Sequence, residues 1–140
     1  MKASSAYLIA PFLGFLLAQV IKYALASRHD KNRRQFFRSG NMPSSHTAVV
    51  VSLATVIYVH EGLSTLFSVA AVLAVITIYD ALVARRSIGE QGAALLRLIE
   101  KSPFAKDPLP RVALGHNPRE VIAGGILGLV IGLTVAFFIT

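Results

Sequence analysis

At 140 residues the chain bounds itself to a single domain, 1–140, and its make-up, 54% hydrophobic against 15% charged, is too apolar for an ordinary water-soluble one. The mean hydropathy of +0.62 points instead to an integral membrane protein. With no cysteine, disulfides and thiolate metal sites are excluded, and a net charge of +7 in so apolar a chain implies basic loops at a membrane surface rather than a nucleic-acid partner.

Four apolar segments follow one another, over about 6–26, 43–60, 63–84 and 118–139. A helix crosses the hydrocarbon with roughly 20 residues, in a range of about 17–25, so the first, third and fourth fit well and the second is short. Backbone groups in lipid must be satisfied internally, so all four are read as helices. The expected fold class is all-α: an integral membrane helical bundle of about four transmembrane helices plus a short interfacial amphipathic helix. The first segment carries Gln19 and Lys22 and is preceded by Lys2, which reads as a spanning helix rather than a cleaved signal.

The connections are unequal. His60-Glu61-Gly62 is a tight turn, whereas 28–42 and 85–117 are long and hydrophilic. The first long loop carries Arg28, Lys31, Arg33, Arg34 and Arg38 against Asp30. The second carries Arg85, Arg86, Arg97, Lys101, Lys106 and Arg111 against Glu90, Glu100 and Asp107. Four spans place both loops on one side, and the positive-inside rule makes that side the cytoplasm. Within the second loop, Ile88 to Lys101 sets Leu95, Leu96, Leu98 and Ile99 beside polar residues, as an interfacial amphipathic helix does. The three prolines between Ser102 and Arg111 mark a linker. In the last segment Gly124, Gly125, Gly128 and Gly132 form a small-residue face suited to close packing within the bundle, with a homo-oligomer as the other use of such a face.

Chemistry concentrates at one membrane face. Asn41-Met42-Pro43-Ser44-Ser45-His46-Thr47 stands where a basic loop meets an apolar helix. Pro43 suits a first helical turn, Ser44 and Ser45 add hydroxyls, and free backbone N–H groups at a helix start attract anions. His46 can carry a proton near neutral pH. Lys22 near the end of the first helix, Asp80 with Arg85 and Arg86 after the third, and His116 with Glu120 at the start of the fourth all fall at the same face. Ionisable groups there are functional candidates because each is costly. The spacing of His116 and Glu120 lets them share a helix face, where a carboxylate would fix the imidazole tautomer. No tight metal-ligand motif is present.

These motifs resemble those of the type 2 phosphatidic acid phosphatase superfamily, which includes the vanadium-dependent haloperoxidases, and most closely its small divergent bacterial and plant branch. The resemblance rests on Ala18-Gln19-Val20-Ile21-Lys22, on Met42-Pro43-Ser44-Ser45-His46, on Asp80-Ala81 with Arg85-Arg86, Gly89 and Gln91, and on Gly115-His116 with Pro118, Glu120, Val121 and Gly124. It implies a metal-independent, cofactor-free lipid-phosphate phosphatase. His116 would be the nucleophile that becomes a phosphohistidine, Glu120 would orient it, and His46 would be general acid and then base. Lys22, Ser44 and Ser45 would hold phosphate oxygens. Ser45 stands where the wider family has glycine. Pro110, beside Arg111, stands where its third motif has arginine. Arg85 or Arg86 is therefore the expected phosphate clamp, with Asp80 as ion-pair partner, and Arg28 and Arg38 are both candidates for the arginine of the first motif.

The expected function is hydrolysis of a phosphomonoester or pyrophosphate on a membrane lipid, a step of phospholipid metabolism. The expected site lies at the cytoplasmic face, of the plasma membrane if the chain is bacterial. The alternative is a non-catalytic lipid-phosphate-binding membrane protein, a scaffold or carrier, which needs the cations but neither histidine.

Overall fold

A computed structural model describes residues 2–26, 42–102 and 117–139. Five helices make up the described parts: α1 Lys2–Ala26, α2 Ser45–Glu61, α3 Thr65–Tyr79, α4 Arg85–Ile99 and α5 Pro118–Phe138, with a π-helical turn over Asp80–Ala84 between α3 and α4. The chain is all-α in these parts, as expected.

α2 is the centre of the bundle, packed by α5, α1 and α3, and α1 also touches α5. The α5 contact is made by glycine. A Cβ at Gly128 would lie 2.6 Å from the Ala48 carbonyl oxygen, one at Gly132 would lie 2.6 Å from Thr55 Cβ, and one at Gly124 would collide with the Ser44 carbonyl oxygen. Small residues at four-residue spacing let the two backbones close to this distance. The glycine face therefore serves packing within the chain. The pairings also fix direction: 124, 128 and 132 meet 44, 48 and 52–55 in ascending order, so α2 and α5 run parallel. α1 runs antiparallel to α2, since Gly14 lies against Ala48 and Ser52, and Lys22 reaches Ser45. The apolar core between the helices is made of Ala6, Ala10, Val56, Ile57, Ala70, Ile131, Val135 and Ala136.

The expected tight turn is found. α2 ends at Glu61, and Gly62 adopts φ 63°, a left-handed value that suits glycine. Ser64 Oγ then accepts the Phe67 N–H at 3.1 Å and starts α3. The start of α2 differs from expectation. Pro43 is not in the first turn. It follows a cis Met42–Pro43 bond and lies before the cap, which is Ser44. The Ser44 hydroxyl accepts from the Thr47 N–H at 3.4 Å and from Thr47 Oγ1 at 3.0 Å, so serine displaces proline as the residue that begins the helix.

Three stretches have the length and apolarity to cross a membrane: Ser4–Leu25, Thr65–Ile99 and Pro118–Phe138. α2, with 17 residues, stands at the lower end of the spanning range and is the most enclosed by its neighbours. The third expected span and the expected amphipathic helix form one continuous helix, where a separate surface helix from 88 to 101 had been expected. No proline or glycine interrupts 80–88, and the π turn absorbs the change of register.

Candidate functional site

Three elements converge at the end of the bundle where α1 finishes and α2 and α5 begin. The Lys22 ammonium donates to Ser45 Oγ at 3.4 Å. It is half-buried and lies close enough to the Glu120 carboxylate to feel its charge. The Ser44 backbone N–H donates to the Glu120 carbonyl oxygen at 2.9 Å, which ties the first turns of α2 and α5 together. Ser44 is fully buried and Ser45 nearly so. Lys22, Ser44, Ser45 and Glu120, drawn from three sequence-distant motifs, are thus brought together.

Local folding explains each placement. Asn117 caps α5 and Pro118 takes its first turn, where a missing N–H costs nothing. The Asn117 side chain accepts from the first-turn backbone, and one Glu120 oxygen accepts the Asn117 N–H at 3.1 Å. This reciprocal capping box holds the Glu120 carboxylate at the mouth of the helix. Ser44 Oγ is engaged in capping α2, so Ser45 Oγ and the first-turn backbone are what that helix start presents beside Lys22.

The other expected residues fall into separate groups. His46 follows Ser45 in the first turn of α2 and is exposed. Arg85 pairs with Asp80 at 2.7 Å across the π turn, the partner expected for it. Arg86 instead pairs with Glu90 at 3.1 Å. Both arginines are exposed, and exposed pairs of this kind contribute only about 0–1 kcal/mol, so either guanidinium can exchange its carboxylate for a stronger anion. The π turn touches α5, which brings this pair toward the same end of the bundle. His116 and Arg38 lie outside the described residues. Among the described residues no group of three or more His, Cys, Asp or Glu could hold a metal ion.

Three features go beyond what the sequence reading described. The capping box was readable from Asn117 and Glu120 at their spacing. Gln19, only 7% exposed, carries a buried side-chain oxygen that accepts no hydrogen bond from the described residues. At the far end of the bundle, Tyr7 Oη donates to Glu61 Oε1 at 2.7 Å, with the His60 ring 6.0 Å from the Tyr7 ring.

A sequence profile described as the divergent PAP2 family matches residues 3–131. Uncharacterized membrane protein YuiD of Bacillus subtilis (strain 168) is 41% identical over 116 residues, covering 71% of this chain and 73% of that protein. No solved structure matches the chain.

Proposed function

The chain belongs to the divergent PAP2 family of membrane proteins, and from that premise we propose that it hydrolyses a phosphomonoester or pyrophosphate on a membrane lipid. The observation that carries this reading is the meeting of Lys22, Ser45 and Glu120 at the paired starts of α2 and α5. A cation beside two helix starts suits a phosphate group. Phosphoryl transfer asks chiefly for positive charge and donors around the equatorial oxygens, with nucleophile and leaving group in line.

By the family resemblance, a ring nitrogen of His116 attacks phosphorus and forms the phosphohistidine as the bond to the lipid oxygen breaks. His46 gives that oxygen its proton. His46 then takes a proton from water, whose oxygen attacks the phosphohistidine and releases phosphate. Glu120 orients His116. Lys22, Ser45 and one of Arg85 and Arg86 hold the oxygens, with Ser44 supporting the turn. With α2 counted as a fourth crossing, the positive-inside rule assigns this end and both basic loops to the cytoplasmic side, and a phosphate-bearing inner-leaflet lipid is the proposed substrate.

A second reading is favoured by one observation. Ser44 Oγ and a Glu120 oxygen are already engaged in helix caps, so the carboxylate a catalyst would use on His116 has a structural task, while the cation that binding needs is in place. Phosphate release from a panel of lipid phosphates, with EDTA present, separates the two. Release that is abolished by His116→Ala and by vanadate is expected. Absence of release, with lipid binding that survives His116→Ala, would establish the binding protein.

A further inference from the structure

We infer that an acyl chain of the bound lipid lies in a groove of α2 between α1 and α3, along Val49 and Leu53, with its ester end at His46. The inference rests on the phosphate-binding reading of the Lys22 end and adds to it the path of the lipid. The sides of α2 are assigned by their contacts. α5 takes Ser44, Ala48, Val51 and Thr55, which meet Gly124, Gly128 and Gly132. α1 takes Ser45 and Ser52, through Lys22 and Gly14. α3 takes Tyr58, whose ring centroid is 5.2 Å from that of Phe67. His46, Val49 and Leu53 belong to none of these contacts. They follow one another at three- and four-residue spacing, so they form one stripe along the helix.

Packing leaves this stripe open. α1 touches α5, and the π turn touches α5, so two of the three gaps around α2 are bridged. Among the described residues α1 and α3 form no packed interface. Burial follows the same division. In the first turn of α2, Thr47 is 1% exposed whereas His46 beside it is exposed. Deeper in the helix Val50 and Val56 are buried, whereas Val49 and Leu53 are only half-buried. Continuity with the phosphate cluster decides the occupant. A phosphate held by Lys22 and Ser45 puts the next atoms of its lipid beside His46, the residue that adjoins Ser45. Val49 and Leu53 carry the path on from there, and they offer apolar contact without a side-chain hydrogen bond. From 46 to 53 the stripe descends roughly 10 Å, which fits within the about 15 Å of hydrocarbon in one leaflet. The same course sets the lipid oxygen that leaves phosphorus next to His46.

The test uses the full native chain in phosphatidylcholine nanodiscs. The probe is a phosphonate analogue of phosphatidic acid, whose P–C bond is not hydrolysed, with a diazirine midway along one acyl chain. After photolysis the adducts are located by mass spectrometry of the peptides. Adducts on Val49 and Leu53 are expected, and excess unlabelled phosphatidic acid should displace them. Adducts there that resist displacement would overturn the inference. So would displaceable adducts found instead on the outer face of α5, at Ile126 and Val130, which are exposed. A variant gives a second measure. Leu53→Trp fills the groove and should weaken the binding of dioleoyl phosphatidic acid about tenfold, the equivalent of roughly two methylenes withdrawn from contact. Glycerol 3-phosphate, which has no acyl chain, should bind that variant as it binds the native protein. Equal effects on the two ligands, in a variant of native helix content, would overturn the inference, and the photolysis of native protein decides the matter should the variant not fold. Phosphate release from lipid with adducts only elsewhere removes this inference and keeps the phosphatase reading. Displaceable adducts on Val49 and Leu53 without phosphate release do the reverse.

Discussion

The two ends of the bundle are both polar, but they are held in different ways. At the Lys22 end the positions are set by backbone. Ser44 N–H bonds to the Glu120 carbonyl, both helices carry side-chain caps, and Gly124 presses on the Ser44 carbonyl with no room for a Cβ. At the far end Tyr7, His60 and Glu61 meet through side chains, with one exposed hydrogen bond and one ring contact. A site that must present groups to a reacting phosphorus needs the first kind of support, because a small displacement costs rate as well as stability. The second kind steadies a helix pair and tolerates change.

The contrast can be broken most severely at Gly124. A Cβ there overlaps the Ser44 carbonyl, so Gly124→Val should push α5 off α2 and cost about 3 kcal/mol, the upper end of overpacking effects. Unfolding in mild detergent measures this, and a native-like midpoint would show that the glycine contact is not what holds this end. Next in size is Lys22→Ala. Its helix content by circular dichroism should be unchanged, while phosphate release falls by about 100-fold, as when one charge-stabilising donor is removed. Asn117→Ala takes away the cap of α5 and should lower stability by about 1 kcal/mol in the same unfolding experiment. The smallest effect belongs to the far end. Tyr7→Phe removes the bond to Glu61, at a cost of about 0.5 kcal/mol for an exposed pair, with phosphate release unchanged. A larger loss from Tyr7→Phe than from Asn117→Ala would invert the comparison.

Much of this was legible in the sequence because it is local or periodic. Apolar length gave the helices. The spacing of Gly124, Gly128 and Gly132 gave the packed face, and Asp80 followed by Arg85 gave an ion pair that the π turn closes. The cap of α2 was misread because proline and serine both favour helix starts, and which one wins depends on where the serine hydroxyl can reach, here Thr47. The continuity from α3 into α4 was hidden by the change from apolar to charged residues, which alters the solvent a helix prefers without ending the helix. Tyr7 and Glu61 are 54 residues apart, and nothing in either neighbourhood announces the other. Gln19 reads in the sequence as part of the first motif, and its burial shows only in the fold. Lys22, Ser45 and Glu120, named from three separate motifs, are brought together by the fold.

The uninterrupted run from Thr65 to Ile99 has 35 residues. At 1.5 Å per residue it is roughly 52 Å long, against a hydrocarbon core of about 30 Å. Part of it must therefore lie outside the oil, and the gathering of Asp80, Arg85, Arg86 and Glu90 says which part. Its apolar portion stops near the π turn, so a thicker or thinner bilayer is met by tilt of the whole rod rather than by stretching. Tilt of a helix carries the charged portion at its end toward or away from the headgroups. Bilayer thickness thereby becomes a physical variable acting on the height of Arg85, independent of any ligand.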